Sequence, residues 1–186
     1  MSVLLSLMML LSLLPTAVLA DDSATKTYTK VTQAPEDWSG TYLIVSEDSK
    51  VALDSSLSKV DAINDYKAVT IENGTIETAE NIAVTIAKMA DGSYSIQAVN
   101  GKYLYQSTDA NGLKEGATAM PNTISLNEDG TVDIVSGGAY LRFNYSSNQM
   151  RFRYYKSATY ASQQPITLYK LGGGLEQVAT PTGTAS

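Results

Sequence analysis

Short segments in which apolar and polar residues alternate run through most of the chain. They are rich in Val, Ile, Thr and Tyr, the residue types that favour strands. Turn dipeptides such as Asp91-Gly92 and Asn100-Gly101 separate many of them, and they suit two-residue hairpins because both central residues must reach positive φ. The segments are TYLIVS, KAVTIE, TIETA, YSIQAV, KYLYQ, VDIVS, AYLRFN, RFRYYK and ITLYK. This pattern predicts an all-β domain, with VTIE-NG-TIET as one of its hairpins.

The strand pattern also repeats. Three strands align with one another, and a second strand follows each of them at a similar distance. A further strand precedes two of the units across an Asp-Gly turn, and ITLYKL at the end can pair round to WSGTYL in the first unit. The aligned positions are Tyr42, Tyr94 and Val132, then Ile44, Ile96 and Ile134. Three units of about four strands, with the last strand returning to the first, predict a β-trefoil. An irregular β-sandwich is the alternative.

The two ends of the chain have a different composition. Residues 1–20 form an apolar run that ends in VLA and is followed by Asp21-Asp22, the pattern of a secretory signal peptide cut after Ala20. We expect a flexible lead at 21–30, the trefoil at 31–171 and a flexible Gly/Thr-rich tail or linker at 172–186. These features predict a secreted protein, extracellular or on the cell surface, without a membrane span after cleavage.

Composition removes several kinds of chemistry. The chain has 0 Cys, 0 His and a net charge of −6. Without these residues there are no disulfides, no thiol or Ser-His nucleophiles, and no thiolate or imidazole metal ligands. The negative charge disfavours binding to nucleic acid. We therefore expect no cofactor, no metal and no nucleic-acid partner.

The chain has 12 Tyr but only 2 Phe and 1 Trp, and tyrosine suits surfaces that stack against sugar rings as well as half-buried strand positions. The segment MRFRYYK is the most distinctive. Alternation places Phe152 and Tyr154 on one face, and Arg151, Arg153 and Tyr155 on the other. If the first pair faces the core, the second face is a candidate ligand surface. The alternative is that its arginines pair with the protein's own carboxylates.

Five further residues are candidates for binding sugar hydroxyls. Three short amides or carboxylates lie just after second strands or in adjacent loops, and two residues belong to the turn and second strand of NGKYLYQ. Turn capping and packing are their structural alternatives. The candidates are Asn144, Asn148, Asn100, Tyr105 and Asp54.

Catalysis would have to rely on carboxylates. The adjacent pairs Glu36-Asp37, Glu47-Asp48 and Glu128-Asp129 lie in predicted loops. Neighbouring side chains on an extended chain point apart, so these pairs do not form the facing carboxylates that a glycosidase needs. We expect the protein not to be an enzyme, with a small glycosidase as the less favoured alternative.

The pattern NGKYL (Asn100 to Leu104) within a repeated two-strand unit resembles β-trefoil modules of the ricin-B and fascin-like kinds. The segments APEDWSGTYLIV, VDIVSGGAYLRFN and NQMRFRYYK with a closing LYKL resemble an uncharacterised accessory module of secreted bacterial cell-surface and hydrolytic proteins. This resemblance covers about Tyr28 to Leu171 and implies an extracellular binding role without catalytic residues. The ricin-B signature Gln-x-Trp is missing, because Trp38 has no Gln two residues before it.

These observations together predict a secreted, lectin-like binding module whose partner is a glycan or polysaccharide. The alternative is a protein-interaction or protease-inhibitor trefoil that binds a cell-surface or extracellular protein. In that case one exposed loop, such as Tyr105 to Gly116, would matter more than shallow pockets.

Overall fold

A computed structural model describes residues 24–172 of the chain. This part contains fourteen strands and one short 3-10 helix, Tyr160–Ser162. The strands are β1 Lys26–Lys30, β2 Gly40–Ser46, β3 Val51–Leu53, β4 Tyr66–Ala68, β5 Thr75–Thr78, β6 Val84–Lys88, β7 Tyr94–Gln97, β8 Tyr103–Tyr105, β9 Lys114–Gly116, β10 Thr123–Leu126, β11 Val132–Ser136, β12 Ala139–Asn144, β13 Arg151–Tyr155 and β14 Thr167–Leu171. The predicted signal peptide, the lead up to residue 23 and the tail from residue 173 lie outside the described residues.

Six of the strands close into an antiparallel barrel. Strand β2 pairs with β6, β6 with β7, β10 with β11, and β14 returns to β2. Two remaining junctions are made by single bridges, Tyr94 with Asn122 and Val132 with Ile166. The prediction that ITLYKL pairs round to the first unit is therefore confirmed.

The remaining strands complete three equivalent units. In each unit a hairpin, β3–β4, β8–β9 or β12–β13, stands on the barrel. The aligned positions Tyr42, Tyr94 and Val132 occupy equivalent places, because each pairs the first strand of its unit with the last strand of the same unit. A closed six-stranded barrel with three hairpins in threefold arrangement is a β-trefoil, so the predicted fold class is confirmed and the sandwich alternative is wrong.

The main core fills the barrel and the space beneath the hairpins. Ile44, Ile96 and Ile134 point into it, each no more than 1% exposed. The middle or last residues of the second strands, Leu53, Leu104 and Leu141, join the same cluster. The repeat seen in the sequence is thus a repeat of core positions, and burying one such side chain contributes about 1.5–3 kcal/mol.

The first unit carries an additional layer outside the barrel. Strand β1 lies between β14 and β5 and pairs with both. This layer covers the outward face of the first unit and creates a second apolar cluster, which is why β2 is buried on both faces. The cluster contains Tyr28, Leu43, Val45, Ala52, Ile76, Ile82 and Tyr169.

Two sequence-based expectations are corrected by this layer. Residues 26–30, expected to belong to a flexible lead, form a strand that is hydrogen-bonded along both edges. The expected VTIE–TIET hairpin closes only at Glu72 and Thr75 around the Asn73-Gly74 turn, after which its two arms separate. The second arm pairs with β1 instead, because that register buries Ile76 opposite Tyr28.

Candidate functional site

The predicted ligand surface on β13 is covered. Phe152 and Tyr154 face the core and are 0% exposed, as alternation predicts. On the other face Arg151 and Tyr155 are also buried, and Arg153 is half-buried. The expectation of an outward stripe is therefore wrong, because the loop formed by residues 54–66 lies over this face. Burial raises the pKa of Tyr155.

The loop 54–66 is tied to β13 by three contacts. Arg153 donates from Nε to Asp61 Oδ1 at 2.9 Å and from Nη2 to Oδ2 at 3.1 Å. This two-point pair raises the pKa of Arg153 and occupies the guanidinium edge that a ligand carboxylate would bind. The N–H of Asn64 donates to the carbonyl of Met150 at 2.7 Å. The third contact is made by Asp65.

Asp65 is a carboxyl group inside the protein. It is 0% exposed, its Oδ1 accepts a hydrogen bond from the N–H of Phe152 at 2.7 Å, and its Oδ2 has no partner. Burial, reinforced by the charge of Asp61, raises the pKa of Asp65 to about 8. The sequence gives no signal for this residue, because an Asp in a polar loop is ordinarily solvated.

Asn100 and Asp54, both predicted to bind ligand, also hold this loop. Asn100 Nδ2 donates to the carbonyl of Leu57 at 2.7 Å and to Glu115 Oε1 at 3.1 Å. Glu115 in turn accepts the N–H of Val60 through Oε2. Asp54 is buried and accepts two hydrogen bonds from Ser56. Their polar atoms are thus engaged within the protein.

The loop proposed for a protein-interaction trefoil, Tyr105 to Gly116, is fastened to the third unit. Asp109 accepts hydrogen bonds of 2.6 Å from both the N–H and the hydroxyl of Ser157. Asn111 accepts the N–H of Lys156. A Cβ at Gly137 would lie 2.4 Å from the backbone N of Thr108, so only glycine allows this close approach. Tyr105 itself is half-buried at the start of the loop.

One carboxylate of each adjacent pair makes ordinary structural contacts. Burial of Glu47 opposes its ionisation, but hydrogen bonds from Tyr169 and Lys30 outweigh that effect and lower its pKa. Hydrogen bonds from Ser39 and Thr131 lower the pKa of Asp37 and of Asp129, respectively. A general acid needs a raised pKa, so these three carboxyls are unsuited to that role.

The accessible part of the predicted site is the tip of the loop 144–150. Asn148 is exposed, Asn144 is half-buried and accepts the N–H of Ser146, and Tyr145 is 56% exposed. Sequence reasoning missed Tyr145, which sits beside a predicted residue. The neighbouring Ile63 is 49% exposed, so this tip presents two large apolar side chains on adjoining loops.

A groove of about 430 Å³ crosses the outside of the barrel from the first unit to the start of the second. Its floor is a row of cross-strand neighbours. Thr41 of β2 pairs with Thr85 of β6, which pairs with Gln97 of β7. On the other side of β2, Lys170 of β14 pairs with Tyr42, so the next residue, Leu171, continues the row beside Thr41. Leu171 in turn pairs with Tyr28 of β1. From Tyr28 to Gln97 the row crosses five strands, and four spacings of about 4.8 Å make it about 19 Å long.

The walls of the groove combine polar and apolar groups. The polar wall includes Asn81 and Lys26, and the backbone at Gly101 lies beside it. The apolar wall includes Val99 and Leu171, which expose 38% and 37% of their surface. The groove volume lies within the range usual for small-molecule sites. None of the predicted ligand-binding residues lines it, although Asn100 precedes Gly101. A second hollow of about 290 Å³ is lined by Thr70, Glu72, Thr75 and Glu77.

Residues 24–172 provide neither a metal site nor a membrane-spanning helix. No group of three or more Asp or Glu side chains there could hold a metal ion. No helix in that range has the length and apolar character needed to cross a membrane.

No protein-family model matches the chain, and no curated protein matches its sequence. Among solved structures, a ricin B-like lectin from Macrolepiota procera, in complex with lactose, is similar to 74% of this chain and 90% of its own. The identity is 14% and the TM-score is 0.45. The strand pairing of this chain by itself defines the β-trefoil.

Proposed function

We propose that the protein is a carbohydrate-binding module and that the groove from β1 to β7 is its site. The observation that carries the proposal is the composition of the groove row, in which Thr41, Thr85 and Gln97 lie beside exposed aliphatic surface. Hydroxyl and amide groups can both donate to and accept from sugar hydroxyls. The aliphatic walls suit the apolar C–H faces of a sugar ring.

The length and openness of the groove favour an extended glycan over a single sugar. A row about 19 Å long, given by strands about 4.8 Å apart, offers contacts to several rings in succession. Each contact is shallow, so binding is expected to be weak for one ring because ordering and desolvation offset much of the gain. The secretion that the N-terminal sequence predicts would bring the groove into contact with extracellular polysaccharides.

The groove is held by rigid elements. Each floor residue lies on a strand whose neighbours are hydrogen-bonded, and the residues next to Thr41, Thr85 and Gln97 on the same strands point into the core. The inward neighbours include Tyr42, Ile86 and Ile96. The site therefore needs no rearrangement before it binds, which keeps the cost of association low.

The test is a glycan and polysaccharide array followed by titration calorimetry on the purified protein. The key variant is Asn81→Ala/Thr85→Ala, because both side chains are exposed in the groove and make no described hydrogen bond. We expect selective glycan binding that weakens at least tenfold in this variant, as the loss of two hydrogen bonds to ligand predicts.

The matched control is Tyr145→Ala/Asn148→Ala, which alters the tip of the loop 144–150. It should bind as the unchanged protein does. Loss of binding in this control alone would move the site to that tip and so to the region of Asn144 and Asn148. No binding to any glycan would overturn the proposal.

A protein-interaction module is the second candidate function. The supporting observation is the tip where Ile63 and Tyr145 are both exposed on adjoining loops, joined by the Asn64–Met150 backbone hydrogen bond. Exposed aromatic and aliphatic groups of this kind anchor protein interfaces. The Tyr145→Ala/Asn148→Ala variant separates the two functions, since it should weaken protein binding and leave glycan binding unchanged.

A further inference from the structure

The groove has a single kind of charge. Among the residues that line it, Lys26 is the charged one, and the others are hydroxyl, amide, aliphatic or glycine residues. Within residues 24–172, no carboxylate forms an ion pair with Lys26, whereas five other cationic side chains are paired. In a chain of net charge −6, a hollow with a cation and no lining carboxylate is an unusual local environment.

The neighbouring hollow has the opposite character. It is lined by Glu72 and Glu77 together with two threonines. Alternation along β1 and β5 keeps the two apart: Lys26 and Tyr28 share one face, while Glu77 pairs with Thr27 on the other face. The sheet thus separates a cationic groove from an anionic hollow. An anionic ligand is attracted to the first and repelled by the second.

The position of Lys26 in the groove is fixed by its strand. It pairs with Thr78 of β5, and two residues later Tyr28 pairs with β5 and β14 at once. The side chain is half-buried and lines the groove. A half-buried lysine can lay its aliphatic stem against the protein and leave its ammonium accessible to a ligand. The backbone of Lys26 is therefore already held by the sheet before a ligand binds.

From this arrangement we infer that the groove selects carboxylated glycans, that is, chains containing uronic acid, and that the Lys26 ammonium binds the sugar carboxylate. The inference rests on the proposed function, because it names the class of sugar for the same groove. The hydroxyl and amide groups of Thr41, Thr85 and Gln97 then bind the ring hydroxyls, and the carboxylate is placed at the β1 end of the row.

The experiment uses pairs of ligands that differ only in charge. Tetramers of galacturonate, glucuronate and mannuronate are each compared with their methyl esters, which keep the ring and remove the negative charge. Dissociation constants are measured by calorimetry with the purified full chain. We expect at least one free acid to bind about tenfold more tightly than its ester, as a charge-assisted hydrogen bond implies. Its affinity should fall as salt rises from 50 to 500 mM.

Two variants separate the role of Lys26 from a change in net charge. In Lys26→Gln the free acid should lose about tenfold in affinity and bind no better than its ester, while the ester should change less than twofold. Lys156→Gln removes the same charge from an exposed residue just after β13 that does not line the groove. That control should leave both ligands unaffected.

The outcomes distinguish this inference from the function on which it rests. Binding of neutral glycans or esters that equals binding of the acids would overturn the inference and leave carbohydrate binding intact. Acid binding that Asn81→Ala/Thr85→Ala abolishes but Lys26→Gln does not would confirm the groove and overturn the role of Lys26. Failure of every acid, ester and neutral glycan to bind would remove both proposals.

Discussion

The carboxyl group of Asp65 accepts a hydrogen bond from the backbone N–H of Phe152 across 2.7 Å, although 87 positions separate the two residues in the chain. The bond joins the loop 54–66 of the first unit to β13 of the third unit. It satisfies an N–H that β13 leaves unpaired, but it places a second carboxyl oxygen, Oδ2, where no partner reaches it. A carboxyl in this position is stable when protonated and is costly to ionise.

Replacement of Asp65 by Asn should stabilise the protein at alkaline pH. Between about pH 4 and the raised pKa of about 8 the unfolded chain is ionised at Asp65 and the folded protein is not. The stability that Asp65 contributes is therefore complete below pH 4 and is lost as pH rises towards 8, by at most about 1.4 kcal/mol per unit. Asp65→Asn removes this titration and keeps the acceptor for Phe152.

The measurement is urea unfolding at pH 4, 6, 8 and 9. The difference in unfolding free energy between Asp65→Asn and the unchanged protein should grow in favour of the variant from pH 4 to pH 8 and then level off. Asp48→Asn, at an exposed turn residue, is the control and should show no such growth. A constant difference across the whole range would contradict the buried, protonated state of Asp65.

Removal of the Tyr42 hydroxyl should stabilise the protein slightly. Tyr42 is 0% exposed and its hydroxyl has no hydrogen-bond partner, so burial raises its pKa to about 12. Tyr42→Phe deletes a desolvated, unpaired group and should raise the free energy of unfolding by up to about 1 kcal/mol. Chemical unfolding at pH 7 measures the change.

The equivalent tyrosine of the second unit provides the comparison. Tyr94 occupies the same place in its unit, but its hydroxyl accepts the backbone N–H of Trp38 at 3.3 Å. Tyr94→Phe should therefore lower the free energy of unfolding by about 1 kcal/mol, because a buried N–H loses its acceptor. Equal effects at the two positions would show that the hydroxyls are in the same environment.

The β13 arginine should matter for stability and not for glycan binding. Arg153→Lys keeps the positive charge but loses the two-point pair with Asp61, and we expect a loss of about 1 kcal/mol in unfolding free energy. Glycan affinity, measured by calorimetry on the folded variant, should remain within twofold.

A double change to Arg153→Ala/Tyr155→Ala should be far more damaging, by about 4 kcal/mol, since it also empties the space of a side chain that is only 5% exposed. Loss of glycan binding in the well-folded Arg153→Lys protein would return the ligand site to the β13 face. That result would support the ligand-binding role predicted for Arg151, Arg153 and Tyr155.

The layer outside the barrel should contribute measurably to stability. Ile76 of β5 is 1% exposed and packs in the second apolar cluster with Tyr28 and Tyr169. Ile76→Ala should lower the free energy of unfolding by about 3 kcal/mol. Val99→Ala, at a residue that is 38% exposed, is the control and should change it by less than about 0.5 kcal/mol. A small effect at Ile76 would mean that β1 and β5 are only loosely attached.

The fold was predictable because it repeats. Ile44, Ile96 and Ile134 recur in register, and each lies on a strand whose turn residues are recognisable in sequence. The closing role of ITLYKL followed from the same register, since two units had a strand before the turn and the first unit lacked one. Local patterns and their repetition contain all of this information.

The site was less predictable, because it depends on contacts between distant segments. Alternation gave the correct faces for Phe152 and Tyr154. The sequence of β13, however, does not indicate that residues 54–66 cover Arg151 and Tyr155. The groove row joins β1, β14, β2, β6 and β7, and its register exists only once the barrel has closed. The sequence predicted that Tyr28 belongs to a loose lead, because KTYTK is short and polar. Its burial depends on Ile76, the residue paired with it on β5.

The pairing of β1 with β14 has a mechanical consequence. The N–H of Gly172 donates to the carbonyl of Thr27, so both ends of the described chain leave the domain at the same edge of one strand pair. A force that pulls these ends apart loads the hydrogen bonds of β1 and β14 one after another, in unzipping geometry, instead of shearing them together. The outer layer would therefore peel away at low force, and the groove would lose its β1 wall before the barrel itself yields.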